Sequence, residues 1–287
     1  MKTVAIWNPA SGSAPDEKDL RSALDEGCEL VTTTAEDPGP GQTRQAVKDG
    51  ATTVVACGGD GTIRACIEPL LNTDAALDMV PLGTGNLLAA NLAVPSGLEA
   101  APTAGQRPKM TIDIGIVNGE AFAVMAGSGF DAVMIRDAGD EMKSRFGRVA
   151  YIVSAAKHLG DALHMTTVIV DDKPWFSGRT SMVLVGNHGV VSGGLNLFPD
   201  ARANDGKLDV AVLSAKSLRD WGSVLWRLVR EKPQRAQLVQ RTQAETIVVT
   251  TNKPRPYELD GEDRPPTKTL NFSIRPQSLH VHHGDNL

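Results

Sequence analysis

Gly58-Gly59-Asp60-Gly61-Thr62 directly follows the apolar run Val54-Val55-Ala56-Cys57 and runs on into Ile63-Arg64-Ala65-Cys66-Ile67. An apolar β-branched run that closes on glycines before a helix-like run predicts strand, tight turn, helix start. Such a turn aims backbone N–H groups and the positive end of a helix at one point, where an anion is stabilised. Glycine lets the backbone approach a phosphate closely or take a positive φ cheaply. Asp60 is out of place in a plain anion cradle, because its charge repels phosphate. A carboxylate there makes sense if it works through a cation or accepts a proton. The turn reads as one built for a metal–nucleotide or for phosphoryl transfer.

Two more turns repeat the arrangement. Val80-Pro81-Leu82 leads into Gly83-Thr84-Gly85-Asn86, and Val4-Ala5-Ile6-Trp7 leads into Asn8-Pro9-Ala10-Ser11-Gly12. In open parallel sheets ligands bind at the carboxyl ends of strands, so three such turns converge on one crevice if their strands are neighbours. No Gly-Lys-Ser/Thr phosphate loop occurs in the chain, which argues against an ordinary P-loop. The near-match to a dinucleotide fingerprint, Gly127-Ser128-Gly129-Phe130-Asp131-Ala132, follows a hairpin-like Asn118-Gly119 and not a first βα unit.

A second group of reactive side chains lies late in the chain, in Glu258-Leu259-Asp260-Gly261-Glu262-Asp263. Period-two alternation would send 258, 260 and 262 to one face of a strand, whereas the glycine would bend the segment into a loop. Clustered carboxylates raise one another's pKa, and a general base is commonly tuned that way. Asp205 in Asn204-Asp205-Gly206 reads first as a turn between strands. His280-x-His282-His283 lacks the spacing of a metal site and reads as a solvent-facing terminal strand. His158, His164 and His188 have no Ser/Asp arrangement that would suggest a triad.

Strand and helix signals alternate over residues 1 to 114, which implies a parallel sheet covered by helices. Pro95 to Pro108 reads as a connection. From Thr111 onward strand signals dominate, at 112–117, 121–125, 166–170, 180–185, 208–213, 246–250 and 270–274, and suggest an antiparallel sandwich. Helical periodicity interrupts them at 146–163 and 218–230. The expected architecture is therefore a Rossmann-like α/β domain (1–114) followed by a mainly antiparallel β-sandwich domain (115–287), whose terminal strand could return to the first.

The composition is that of an ordinary globular protein, and the net charge of −5 argues against nonspecific nucleic-acid binding. No apolar run of membrane-spanning length and no signal-peptide pattern is present, and three cysteines without metal spacing fit a reduced, cytoplasmic protein. Between Lys216 and Arg241, seven basic residues meet only Asp220 and Glu231, with Trp221 and Trp226 among them. A basic helix bearing Trp and Leu suits an anionic membrane surface; a stripe packed on the β domain explains the same pattern.

Asn8-Pro9-Ala10-Ser11-Gly12, Gly58-Gly59-Asp60-Gly61-Thr62, Pro81-Leu82-Gly83-Thr84-Gly85-Asn86 and Leu259-Asp260-Gly261-Glu262 resemble, in that order, the motifs of the diacylglycerol kinase catalytic family. The resemblance covers nearly the whole chain. It implies an ATP- and Mg2+-dependent kinase acting on a diacylglycerol-like lipid, with its site in the cleft between the two domains and with peripheral attachment to the inner membrane face. Oligomeric state, including a homodimer, stays open. By resemblance, Asn8, Pro9, Ala10, Ser11, Gly12, Thr34, Gly58, Gly59, Asp60, Gly61, Thr62 and Thr84 contact the nucleotide, and Asp60 lies in the phosphate–magnesium region. The Leu-Asp-Gly-Glu motif supplies the catalytic base, for which Asp260 is preferred and Glu262 stands close behind. Asp205, with the backbone carbonyls of Arg202 and Lys207, matches a structural magnesium site, an oxygen set that suits a hard cation. Two rivals remain: a soluble-metabolite kinase related to NAD kinase, which shares Gly-Gly-Asp-Gly-Thr, and a non-catalytic nucleotide- or lipid-binding module.

Overall fold

The computed structural model describes residues 2–129, 163–191, 195–215 and 239–285. The expected helix at 218–230, all but the last residue of that expected at 146–163, Phe130 to Ala132, His158 and the basic segment from 216 to 238 lie outside the described residues.

Along the chain run β1 (Thr3–Trp7), α1 (Glu17–Ala23), β2 (Cys28–Thr32), α2 (Pro40–Lys48), β3 (Thr53–Gly58), α3 (Asp60–Leu70), β4 (Ala76–Pro81) and α4 (Leu87–Asn91). The connection expected at 95–108 contains a 3-10 helix, Gly97–Thr103. Then come β5 (Lys109–Val117), β6 (Glu120–Phe122), β7 (Met125–Ser128), β8 (His164–Val170), β9 (Lys173–Thr180), β10 (Met182–Gly186), β11 (Val190–Val191) and β12 (Leu195–Asn196). The chain closes with β13 (Leu208–Leu213), β14 (Val239–Ala244), β15 (Thr246–Leu259) and β16 (Glu262–His282).

Two compact units divide the chain. The first comprises Met1–Ile114, Ala203–Asp205 and Arg275–Leu287; the second comprises Gly115–Arg202 and Gly206–Ile274. In the first unit β2, β1, β3 and β4 lie side by side, all parallel. Every residue of β3 and β4 is buried, as expected of strands whose two faces are both covered. Ile63, Ile67 and Leu70 of α3 are fully buried, three and four residues apart on one helical face.

The end of β16 pairs parallel with β4, His280 opposite Ala76 and Val281 opposite Leu77. The histidines there were expected to face solvent, and His282 does not: it is fully buried. Because the strand docks beside β4, His282 meets a polar cluster in place of water. Its Nδ1 lies 2.6 Å from the Arg107 carbonyl oxygen, an acceptor only, so that nitrogen carries the proton. Arg107 in turn pairs with buried Asp78, which also accepts the Gly105 N–H.

In the second unit β14, β13, β10, β7 and β15 form an antiparallel run, with β16 and β8 on β15 and β9 on β8. Alternate residues of these strands fill one core, including Val185, Val210, Ile247, Leu259 and Phe272, and Phe122 of β6 joins them. Phe122 and Phe272 meet edge to face at 6.2 Å. β9 and β14 had no counterpart in the sequence reading, and β15 and β16 run far beyond the expected 246–250 and 270–274. Pro254, Pro256, Pro265 and Pro266 hid that extension, since proline breaks a strand pattern. β15 tolerates its prolines at register shifts between Thr250 and Tyr257.

Buried histidine makes the second unit acid-sensitive. Burial pushes His188 from its ordinary 6.5 down to about 4, so the folded state stays unprotonated where the unfolded chain takes up a proton. Stability is then flat above pH 6.5 and falls as pH drops from 6.5 towards 4, by at most about 1.4 kcal/mol per pH unit. His282 is pushed the same way, by burial against the opposing pull of Asp78. Melting curves from pH 8 to 4.5 should show the loss, and His188→Gln should flatten part of it. An identical acid dependence in that variant would remove His188 as a source.

Candidate active site

In the first unit the three turns are brought together. They leave the carboxyl ends of β1, β3 and β4, which are neighbours in the sheet. The Asn8 to Ser13 loop laces across both glycine turns. Its Asn8 N–H donates to the Cys57 carbonyl (3.0 Å) and the Asn8 side-chain amide to Thr62 Oγ1 (3.1 Å). Ser11 Oγ accepts the Gly59 N–H (3.3 Å), and the Ser13 hydroxyl donates to the Leu82 carbonyl (2.8 Å). The Leu82 N–H closes the set on the Gly58 carbonyl at 2.8 Å.

Asp60 is the first residue of α3, and its carboxylate reaches the second glycine turn. Oδ2 accepts the Asn86 N–H at 2.7 Å and Oδ1 the Leu87 N–H at 2.6 Å. The side chain therefore caps α4 and ties the two turns to each other. Contact between the turns also explains their glycines. A Cβ on Gly83 would sit 2.6 Å from Gly59 Cα, and one on Gly85 would sit 2.5 Å from Asp60 Oδ2. Glycine is required here by close approach, to backbone at Gly83 and to the Asp60 carboxylate at Gly85; neither Gly58, Gly59, Gly61, Gly83 nor Gly85 takes a positive φ.

Pro9, Ala10, Gly12 and Thr84 are exposed on this laced platform, with Gly61 and Ser11 half-buried and Thr62 buried. Thr34 is exposed just beyond β2, where its hydroxyl accepts the Asp37 N–H at 3.1 Å. Not every amide read as a phosphate donor faces outward: those of Ala10, Ser11 and Gly59 are taken by Asn8 Oδ1, the Asn8 carbonyl and Ser11 Oγ.

In the second unit the Asp-Gly pair is a hairpin turn. Leu259 pairs with Glu262, and Asp260 (φ 45°) and Gly261 (φ 86°) both take the left-handed conformation of a two-residue type I′ turn. The strand alternative, with 258, 260 and 262 on one face, is thereby excluded. Asp260 folds inward and is buried. Its Oδ2 accepts the Ala123 N–H (2.8 Å) and its Oδ1 those of Val124 and Met125 (2.9 Å each). The Asp260 N–H donates back to the Met125 carbonyl at 2.9 Å.

Asn187 holds the same peptide from its carbonyl side, donating its N–H to Val124 (2.8 Å) and its side-chain amide to Ala123 (3.2 Å). The sequence reading passed over Asn187; a polar residue between the apolar run 182–185 and Gly189 was the available signal. Glu262 differs from Asp260. Its side chain is 38 % exposed, and its Oε2 lies 3.4 Å from the Arg264 guanidinium, which also binds Glu120 at 2.9 Å. Glu258 is buried within β15.

Asp205 is exposed in the turn before β13, as are Arg202 and Lys207. Among the described residues no group of three His, Cys, Asp or Glu side chains converges as a metal site. The oxygen set read from the sequence, one carboxylate and two main-chain carbonyls, still fits a hydrated hard cation by its chemistry.

Residues 2–117 match the family model described as the diacylglycerol kinase catalytic domain, and residues 124–283 match that of the YegS C-terminal NAD kinase beta sandwich-like domain. The diacylglycerol kinase of Bacillus subtilis (strain 168) is 31 % identical over 268 residues, covering 90 % of this chain and 88 % of that one. A Pseudomonas aeruginosa protein (strain UCBPP-PA14) named "Probable lipid kinase YegS-like" is 31 % identical over 284 residues, covering 94 % and 91 %. A crystal structure of a diacylglycerol kinase from Bacillus anthracis str. Sterne superposes with a TM-score of 0.74 at 18 % identity, covering 99 % and 97 %. That last likeness speaks for the fold.

Proposed function

Because this chain belongs to the diacylglycerol kinase catalytic family and is a lipid kinase, we propose that it moves the γ-phosphoryl group of ATP to the free hydroxyl of diacylglycerol, giving phosphatidic acid. The observation that carries this reading is the platform of three laced turns at adjacent strand ends, with a helix N-terminus at its centre. Phosphoryl transfer asks the protein chiefly for positioning and charge stabilisation, and such a platform suits that task.

In this mechanism the Asn8 to Gly12 loop, Gly58 to Thr62, Thr34 and Thr84 hold the nucleotide. Asp60 keeps the two glycine turns in register and with them the phosphates. When bound, magnesium would supply charge neutralisation to the phosphates, and Asp205 with the Arg202 and Lys207 carbonyls would hold a structural ion. The acceptor hydroxyl attacks the γ-phosphorus, the bond to the bridging oxygen breaks, ADP leaves, and the hydroxyl proton goes to Glu262. We favour Glu262 over Asp260 for that last role. Asp260 spends both oxygens on three backbone amides, whereas the Glu262 carboxylate reaches solvent.

A screen with labelled ATP tests the reading. Dispersed diacylglycerol should give a chloroform-soluble labelled product in a magnesium-dependent way, while NAD should give none. Label in another hydroxyl lipid but not in diacylglycerol would overturn the acceptor; label in NAD alone would overturn the lipid reading. A short-chain soluble acceptor run beside vesicles reports on the basic 216–241 segment. If that segment docks the enzyme on membrane, salt suppresses only the vesicle reaction.

A further inference from the structure

β16 opens on Glu262, and two residues on, on the same face of the strand, comes Arg264. Arg264 stands opposite Tyr257 across the hairpin, and its side chain is only 16 % exposed. Two edges of its planar guanidinium are already taken. Nε donates to Glu120 Oε2 at 2.9 Å, and Nη1 donates to the Asp263 carbonyl at 3.0 Å. What remains for Glu262 is a longer fork: Nη1 and Nη2 both point at the one oxygen Oε2, each at 3.4 Å.

Charge-assisted N–H to carboxylate bonds run to about 2.7–2.9 Å, so the Glu120 contact is closed and the Glu262 contact is not. A closed fork would tie the Glu262 carboxylate up in hydrogen bonds, whereas an open one gives it direction and charge and leaves it able to take a proton. Glu120, the first residue of β6, is what keeps the fork open, because it anchors the far edge of the guanidinium. Partial burial works against the Arg264 charge, but the hydrogen bond and charge of Glu120, with those of Glu262, outweigh it and raise the Arg264 pKa. The other acidic groups of the hairpin point elsewhere. Asp260 turns inward onto the 123–125 amides, Glu258 is buried within β15, and Asp263 is exposed on the opposite face of β16.

We propose that Arg264 is a positioning residue for the proton acceptor, orienting the Glu262 carboxylate and lending it positive charge, while Glu120 holds the guanidinium back from closing on it. This role rests on the reading of Glu262 as the proton acceptor.

The kcat–pH profile with a short-chain, water-soluble diacylglycerol tests it. Beside it runs a carboxyl NMR titration of Glu262, assigned by its loss in Glu262→Gln, which needs no acceptor. A carboxylate that loses a neighbouring cation is easier to protonate. Arg264→Gln should therefore move the acid limb of the profile and the Glu262 signal up by about 0.2–0.7 of a pH unit, the scale of a half-exposed ion pair. Glu120→Gln should move both down, because the released guanidinium then acts on Glu262 alone. KM for ATP should stay unchanged in both variants. A merely structural role would lower their melting temperatures and move neither readout. Glu120 has a side chain 42 % exposed, so its variant should fold even where Arg264→Gln does not, and its downward shift is diagnostic by itself. A Glu262 signal that moves in neither variant, or moves the same way in both, overturns the role. Loss of turnover in Glu262→Gln with unmoved signals in the other two sinks Arg264 and Glu120 alone. Normal turnover in Glu262→Gln sinks the proton acceptor and this role with it.

Discussion

Glu262→Gln is expected to lower kcat by about 10²–10⁴-fold, the usual contribution of a positioned general base. The amide keeps the size of the side chain and removes its ability to accept the acceptor's proton. Because Glu262 is partly exposed and its Arg264 contact is long, the melting temperature should hardly move. ATP-analogue affinity should also survive, since the nucleotide residues lie elsewhere in the chain. Asp260→Asn provides the contrast. There an amide group would point donors at backbone N–H donors inside a buried turn, at a cost of about 1–3 kcal/mol for each group left unsatisfied. That variant should lose melting temperature and activity together. Near-normal turnover in Glu262→Gln, with a stable but inactive Asp260→Asn, would return the base to Asp260.

Asp60→Asn is expected to cut kcat/KM for ATP by about 10²-fold or more, the scale at which a small misplacement of reacting groups is felt. Only one oxygen remains to serve two amides, so either Asn86 or Leu87 loses its partner. The second glycine turn then shifts against the first, and with it the place where the phosphates lie. A purely structural role would lower the melting temperature and leave ATP kinetics intact once the protein is folded. Measuring kcat and KM for ATP below the melting range separates the two. Normal kinetics with a lowered melting temperature would reduce Asp60 to a helix cap.

The residues of these two predictions were legible in the sequence to different depths. Glycines after apolar strands announced the platform, and a carboxylate among them announced that the turn did more than hold an anion. The sequence did not say where the Asp60 oxygens go, because their partners lie 26 and 27 positions away. Likewise Asp260 and Glu262 look equivalent as residue types two positions apart. The type I′ turn makes them unlike by sending one inward to the 123–125 amides and leaving the other at the surface. His282 looked polar and terminal, and was buried by a strand pairing that no local pattern announces.

Order along the chain by itself determined the α/β then β architecture, the three strand-end turns, the family and the set of acidic residues worth testing. These follow from local periodicity and from motif spacing, which need no knowledge of distant contacts. Tertiary structure alone decided which carboxylate is buried and why Gly83 must be glycine. The physical reason is the same in each case: hydrogen-bond saturation and steric contact are set by groups far apart in sequence, and only folding brings them within 3 Å or so of one another.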